Sequence, residues 1–440
     1  MRLDDCLQGD LLKMLKFKDE FIRHAGLMFI GVGLFNVFNL LYHLFMVRFL
    51  SPADYGQLNT LIALFMVVSV PASTVQTTVT KFVSSFQAQN RFSQMKKLLR
   101  HLLTLMSIVG VSIFLLVTLG REYVSSFLQI SSYRLIILFG LGLFFAMVVP
   151  IPWGGLQGLQ KFGSMTFSLI FSGGLKFFLG GLFVFLGLGV LGAMGAFTIC
   201  YMVTVFLSLA ILVISLPREK SESRHEQATE KQDSSYISGV YQYFLPVGIT
   251  LLCFMVLTNI DLILVKHFFT PVEAGYYSIA QLVGKIILLL PVPVVAATFP
   301  KLSSLEGEEK KALLVLRQSL MMVLFFCVAA ILLGFLFPSL IIRILSGGLY
   351  IECIPLVRFF CIDMSLFSLV LILLYYHLSR GKSVFIYPLC FLTLIQTGLI
   401  VLYHNTLVQV LVVVGLVGLC LLGVNLYLAY HSCERRVEVL

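Results

Sequence analysis

Apolar stretches of 18 residues or more, nearly free of charge, follow one another along this chain with short polar breaks between them. A hydrocarbon core about 30 Å thick is crossed by about 20 helical residues. Backbone polar groups in lipid must be satisfied within their own segment, so such stretches predict helices. They fall at 24–49, 57–83, 98–119, 134–157, 162–186 and 189–216, and again at 241–265, 275–300, 316–342, 355–378, 384–403 and 406–431. Barrel strands would read as short alternating segments, and no segment here has that pattern. The predicted class is an all-α integral membrane protein with about twelve transmembrane helices.

The polar breaks divide the chain. Residues 1–23 mix Asp4, Asp5, Asp10, Lys13, Lys16, Lys18, Glu20 and Arg23 with Leu and Phe, and read as a cytosolic amphipathic segment on the membrane surface, not a signal peptide. Residues 217–240 are polar and mixed in charge, and form the one real linker. It separates an N-lobe, 24–216, from a C-lobe, 241–431, which a tail at 432–440 follows.

The two halves resemble each other. Ser51-Pro52-Ala53-Asp54-Tyr55-Gly56 follows helix one, and Thr270-Pro271-Val272-Glu273-Ala274-Gly275 follows helix seven, 219 residues later. Pro71 pairs with Pro291 and Lys81 with Lys301 at a displacement of 220, and Leu159-Gln160-Lys161 with Leu378-Ser379-Arg380 at 219. Three matches at nearly constant displacement indicate duplication. Each half holds six helices, so the copies share an orientation: two parallel-repeat lobes around a central cavity, which rock to give alternating access. In each turn the hydroxyl suits an N-cap, Pro the first helical turn and the acid the helix N-terminus.

Several helices carry polar groups on one face. Helix one has Asn36, Asn39 and His43; helix two has Ser69, Ser73, Gln76 and Thr80. Helix five has Ser164, Ser168, Ser172 and Lys176, and helix eight has Ser278, Gln281 and Lys285. These spacings keep each set on one side. Facing lipid they would be costly, so they should face protein or a wet cavity. Lys176 and Lys285 lie ten or more residues from either end of their expected helices, too deep to snorkel easily. Each needs an anion, a wet cavity, or a structural partner among carbonyls and acids such as Asp363. Asp261, near the end of helix seven, is a candidate gate partner for Arg48 or Lys266. Asp363 is the deepest acid and the candidate for ion coupling.

Composition agrees with the pattern: 59% of residues are hydrophobic and 12% charged, against about 25% charged in soluble domains. With the N-terminus inside, 22 of the 31 Lys and Arg residues fall in cytosolic segments. Only Arg48, Arg121, Arg134, Lys266, Arg343 and Arg358 fall outside. The positive-inside rule then puts both termini in the cytosol. The net charge of +10 follows from this bias and suits anionic lipid headgroups; no nucleic-acid-binding module is visible. The nine cysteines are scattered without metal spacing, so they read as packing residues with no disulfide expected.

Phe49-Leu50-Ser51-Pro52-Ala53-Asp54-Tyr55-Gly56, followed by an apolar helix, resembles the polysaccharide transport family (oligosaccharide and O-antigen flippases) of the multidrug/oligosaccharidyl-lipid/polysaccharide flippase superfamily. Asn259-Ile260-Asp261-Leu262-Ile263-Leu264-Val265 with Ala274-Gly275-Tyr276-Tyr277 resembles the start of that family's second lobe. The resemblance implies a fold like that of the multidrug exporters of the superfamily. It also implies flipping of a polyprenyl-diphosphate-linked oligosaccharide from the cytosolic to the outer leaflet of the cell inner membrane, alongside polysaccharide-assembly proteins. On that reading Lys285 and Lys176 meet the diphosphate, and Lys81, with Lys301, guides it at the inner mouth. Gln281, Gln76, Asn36, Asn39 and His43 then line the path. No cofactor is expected beyond coupling to H+ or Na+. The alternative is an ion-coupled multidrug antiporter of the same superfamily, which calls for acids in the lobes; helix one has none. A major-facilitator transporter lacks support because Gln87–Lys97 holds none of its usual basic signature. An enzyme lacks support too, since the longest outer loop, 120–133, holds a single acid, Glu122.

Overall fold

The structure is a computed structural model that describes residues 2–216, 246–304, 309–347, 350–381 and 383–437. Over 2–25, 431–437 and several positions within 296–310 it describes the backbone alone. The linker expected at 217–240, the end of the tail and the side chain of Lys301 lie outside the described residues.

The described residues form helices joined by short turns, with no strand among them. In chain order these are α1 (Arg2–Phe49), α2 (Pro52–Val68), α3 (Val70–Ala88), α4 (Phe92–Leu119), α5 (Arg121–Leu128), α6 (Tyr133–Val148), α7 (Pro150–Gly158), α8 (Phe162–Phe183) and α9 (Gly189–Ser215). The second half holds α10 (246–257), α11 (Ile260–Phe268), α12 (Pro271–Leu288), α13 (Pro291–Ser304), α14 (Glu309–Leu336), α15 (Pro338–Ser346), α16 (Ile354–Ser379), α17 (Ile386–Leu402) and α18 (Leu407–Val437).

Among the described residues nine helical stretches are long and apolar enough to cross a membrane, or ten with the broken pair α2–α3 counted as one. The longest, Phe162–Ser215, is interrupted by a π turn at Val184–Leu188 and so contains two of the expected helices. The short apolar helix α17 is another. Each of the twelve expected stretches thus falls on helix, five of them (57–83, 134–157, 241–265, 275–300 and 316–342) on two successive helices, while 241–245 lie outside the described residues. Large side chains such as Leu119, Phe185, Ile214 and Phe325 stand exposed on these helices, as lipid-facing positions require. Of the segment expected at 1–23, residues 2–23 are helical and run into the first span without a break, since α1 is one helix of 48 residues.

Local chemistry sets the element ends. Ser51 caps α2 by accepting from the Asp54 amide, and Thr270 forms a full capping box with Glu273 at the start of α12. Pro52 and Pro271 occupy the first turn of each. The second helix of each half is broken at matching places, α2–α3 at Ser69 and α12–α13 at Leu289 and Leu290, just before Pro71 and Pro291. Gly187 and Gly189 both take positive φ in the turn between α8 and α9 (84° and 53°), a conformation open to glycine at little cost. Further matches follow nearly the same displacement, 217 or 218 residues from helix start to helix start: α4 with α14, the short α5 with α15, α9 with α18.

Contacts divide the chain into two compact units. One gathers segments of Met1–His43, Val75–Leu119 and Ile137–Ala228; the other gathers Leu44–Thr74, Gly120–Ile136 and Thr229–Leu440. Within the first, Val79, Val83, Met95, Leu99, Leu156 and Leu212 form a buried core. Gly154 and Gly158 let α7 approach α3 closely: a Cβ on Gly154 would lie 2.7 Å from the Gln76 carbonyl oxygen, one on Gly158 2.7 Å from Val83 Cβ. This is the small-residue spacing by which membrane helices pack. Within the second unit α12 lies against α2 and α16, and α16 against α14 and α18. Here α2 and α12 meet backbone to backbone. A Cβ on Gly275 would lie 2.1 Å from the Pro52 carbonyl oxygen, and one on Gly56 2.9 Å from the Gly275 nitrogen.

Candidate functional site

Two buried polar clusters stand out, one in each unit. In the first, Lys176 on α8 is 6% exposed. Its ammonium donates to Asn39 Oδ1 on α1 and lies over the rings of Tyr42 (4.6 Å) and Phe197 (5.5 Å). Tyr42 is itself fixed by a hydrogen bond to the Ala193 carbonyl (3.0 Å), and Asn39 by one to Phe35 (2.9 Å). Ser172, one turn before Lys176, touches the Cys200 thiol at 3.2 Å. The ammonium is thus held by an amide oxygen and two π faces, each cation–π contact contributing about 0.5–2 kcal/mol. No carboxylate pairs with Lys176 among the described residues.

In the second unit Asp261, at the first turn of α11, is fully buried. Tyr277 donates to its Oδ2 (2.8 Å), and Gln281 Nε2 reaches both carboxylate oxygens at 3.4 Å. Gln281 Oε1 accepts from Asn59 Nδ2 on α2 (3.4 Å), which also points at the Ser278 carbonyl (3.5 Å). Lys285 interacts electrostatically with Asp261. It lies in the last turn of α12, just before the break at Leu289, not in the middle of an unbroken helix as its distance from the expected ends suggested. A half-helix C-terminus carries partial negative charge and favours a cation. Asp363 on α16, 2% exposed, interacts with Asp261 and sits against Gly415 of α18; its Oδ2 has no hydrogen-bond partner among the described residues.

The remaining candidates lie apart from these clusters. Gln76 Nε2 donates to Gln157 Oε1 (3.4 Å), which also accepts from Thr80 (3.3 Å). Asn36 and Lys81 are exposed. His43 is half-buried with its ring edge-on to Tyr42. Arg48 does not pair with Asp261; it donates to the carbonyls of Ile344 (2.5 Å) and Leu345 (3.4 Å) at the end of α15. Lys266 is fully buried, and its ammonium has no hydrogen-bond partner among the described residues. Cys253 and Cys390 bring their thiols to 3.5 Å. No group of three or more His, Cys, Asp or Glu able to hold a metal occurs among the described residues.

Pattern reading missed Asn59, Tyr277, Tyr42 and Gln157. Asn59 was recoverable, because the 219-residue displacement that links the turns places it on Ser278, inside the polar stripe of α12. Tyr277 and Tyr42 carry no such signal: an aromatic ring in an apolar helix reads as packing.

A profile of the polysaccharide biosynthesis protein family matches residues 21–306. The chain belongs to that family. Comparison of this polysaccharide biosynthesis protein with curated proteins finds no match. Among solved structures it is similar to an inward-facing multidrug-resistance MATE transporter of the MOP superfamily, with TM-score 0.74 and 14% identity over 92% of this chain and 99% of the other. It is also similar to the lipid II flippase MurJ in an inward closed conformation (TM-score 0.71, 14% identity, 92% and 87%). A third is a MOP superfamily transporter from Pyrococcus furiosus described as having a binding pocket of reverse polarity (TM-score 0.63, 15% identity, 94% and 96%). At these identities the likeness is one of fold: this family member is a membrane protein, helical throughout its described elements, with the fold of MOP superfamily transporters.

Proposed function

We propose that this protein is a flippase that carries a polyprenyl-diphosphate-linked oligosaccharide from the cytosolic to the outer leaflet by alternating access. The observation that carries this reading is Lys176: a buried cation held by neutral groups, with no carboxylate paired to it among the described residues. An uncompensated ammonium in a low-dielectric site attracts an anion and repels the organic cations that a multidrug exporter takes. A diphosphate would supply the required charge, and membership of a polysaccharide biosynthesis family supports a sugar-bearing substrate. A lipid II flippase stands among the solved structures that share the fold, which supports the reading.

In this scheme Lys176 and Lys285 receive the diphosphate. Gln76, Gln281, Asn36, Asn39 and His43 contact sugar or headgroup oxygens, and Lys81 attracts the headgroup at the cytosolic mouth. Both termini face the cytosol, and the protein works in the cytoplasmic membrane beside polysaccharide-assembly proteins. Asp261 and Asp363 are the groups through which H+ or Na+ would couple.

The test is transfer of a fluorescent lipid-linked oligosaccharide across proteoliposomes. The parent protein should accelerate transfer, Lys176→Gln should abolish most of it, and Lys176→Arg should keep part. A well-folded Lys176→Gln protein with full activity would overturn the anion-binding assignment.

The buried pair Asp261–Asp363 favours one second reading, the ion-coupled multidrug antiporter. Uptake of an organic cation driven by an imposed H+ or Na+ gradient, with no transfer of the lipid-linked sugar, would establish it instead.

A further inference from the structure

Arg48 and His267 occupy the same place in the two halves. Each is the penultimate residue of its helix, α1 ending at Phe49 and α11 at Phe268. Each is basic, and each donates to the end of a short surface helix that belongs to the other half of the sequence. Arg48 takes the Ile344 and Leu345 carbonyls of α15. His267 Nδ1 donates to the Phe127 carbonyl of α5 (2.7 Å), with its ring stacked on Phe127 at 4.3 Å. Gln129, the left-handed cap of α5, donates back to the His267 carbonyl (2.8 Å). Gly347 is the left-handed cap of α15, so the two surface helices end alike.

The accepting groups are those a helix leaves open. The last four carbonyls of a helix have no partner inside it, and its C-terminus carries partial negative charge. On α15 the cap amide of Gly347 takes Arg343; on α5 those of Gln129 and Ile130 take Ser125. Ile344, Leu345 and Phe127 are then left for Arg48 and His267. All these segments lie within the second compact unit, as does the Gly56–Gly275 contact between α2 and α12. Tyr350, just beyond α15, adds a hydrogen bond to the Leu50 carbonyl (3.3 Å).

We infer that Arg48 and His267 are gate residues: a duplicated pair of reciprocal clasps that holds closed the face carrying the Ser51 and Thr270 turns. The inference rests on the alternating-access reading, in which that face must open once per cycle. Each clasp consists of exposed or half-buried polar contacts that exchange for water at modest cost when the helix ends part. The glycine crossing of α2 on α12 brings the backbones together, and the clasps fix the surface helices across it. Two clasps related by the repeat release together when the halves rock, since neither half moves without freeing both.

The test places a single reactive cysteine behind the closure, Ser278→Cys, in a chain whose native cysteines are replaced. Ser278 is fully buried. Reaction with a charged thiol reagent is followed in lipid nanodiscs, where both faces meet the reagent. Arg48→Ala or His267→Ala should raise the rate about threefold and the double variant about tenfold or more, the scale expected when exposed hydrogen bonds of modest net worth are lost at one clasp and then at both. Arg48→Lys should stay near the parent. Equal rates in all variants with unchanged melting temperature would overturn the clasp. If the alanine variants fail to fold, a second arm decides: cysteines at Phe127 and His267, oxidised to a cross-link, should stop lipid-linked sugar transfer until reduced. Continued transfer through the cross-linked protein would overturn the inference. Absence of transfer in the parent would sink the flippase reading and leave the labelling result standing.

Discussion

Lys176 and Lys285 carry the same charge into different company. Lys285 has a carboxylate, Asp261, and the C-terminal end of α12 to balance it. Lys176 has an amide oxygen and two aromatic faces. Their replacements should therefore separate. Lys176→Met removes a costly buried cation whose partners are neutral, so the melting temperature in detergent should hold or rise while sugar-lipid transfer falls. Lys285→Gln should lower transfer about 10- to 150-fold, the equivalent of about 1.5–3 kcal/mol for a hydrogen bond to a charge. It should also lower the melting temperature, because Asp261 is left buried with less compensation; Asp261→Asn in the same chain should restore part of the stability. A stable Lys285→Gln protein would show that this electrostatic attraction contributes little. At this scale the sequence exposed the charged members of both clusters and the amides Asn39 and Gln281, though not Asn59, since a polar residue at helical spacing from others inside an apolar run is conspicuous. It hid their aromatic partners, and it hid the distinction between the two lysines. That distinction depends on which neighbour lies across the helix interface, and helical spacing carries no record of it.

Element by element, the duplication was legible because it rests on turn chemistry. Ser51-Pro52 and Thr270-Pro271 dictate caps that any helix start would use, and both form. The breaks at Ser69 and Leu289 are local consequences of Pro71 and Pro291. What the pattern could not give was the pairing of α2 with α12, which depends on Gly56 and Gly275 meeting across the two halves. Gly275→Ala should be poorly tolerated: its Cβ would meet the Pro52 carbonyl at 2.1 Å. Overpacking of a close contact costs about 1–3 kcal/mol, so expression and melting temperature should drop, whereas Gly33→Ala, where no atom lies within 4 Å, should leave both unchanged. The helix pair α10 and α17 offers a separate check. The Cys253 and Cys390 thiols, 3.5 Å apart, should close to a disulfide when a membrane-permeant diazenecarboxamide oxidant takes their two electrons and two protons. The reaction can be read by peptide mass after digestion. Recovery of both as free thiols would mean that the two helices are held further apart than the structure has them.

On the scale of the whole molecule, charge supplies the sidedness that helix packing alone does not. A cysteine at Glu122 should react with an impermeant reagent in intact cells, and one at Gln89 only after permeabilisation; the reverse result would invert the proposed topology. The lobes expected from sequence follow the linker, whereas the compact units trade segments: 44–74 and 120–136 pack with the second half of the chain. This exchange has a consequence for how the protein is born. Asn59 enters the bilayer with α2, yet its partners Ser278 and Gln281 lie 219 and 222 residues further on. At about 5–20 residues per second a ribosome needs roughly 10–40 s to make that stretch. For that interval α2 lies in the bilayer without the partners that its amide meets in the finished protein. The early half is thus a client for whatever shelters unfinished membrane proteins, and its lifetime should depend on the arrival of the late half. A pulse-chase of residues 1–240 made alone should show rapid proteolysis, slowed when 241–440 is co-expressed. An early half that endures unaided would mean that α2 finds shelter before its partner exists.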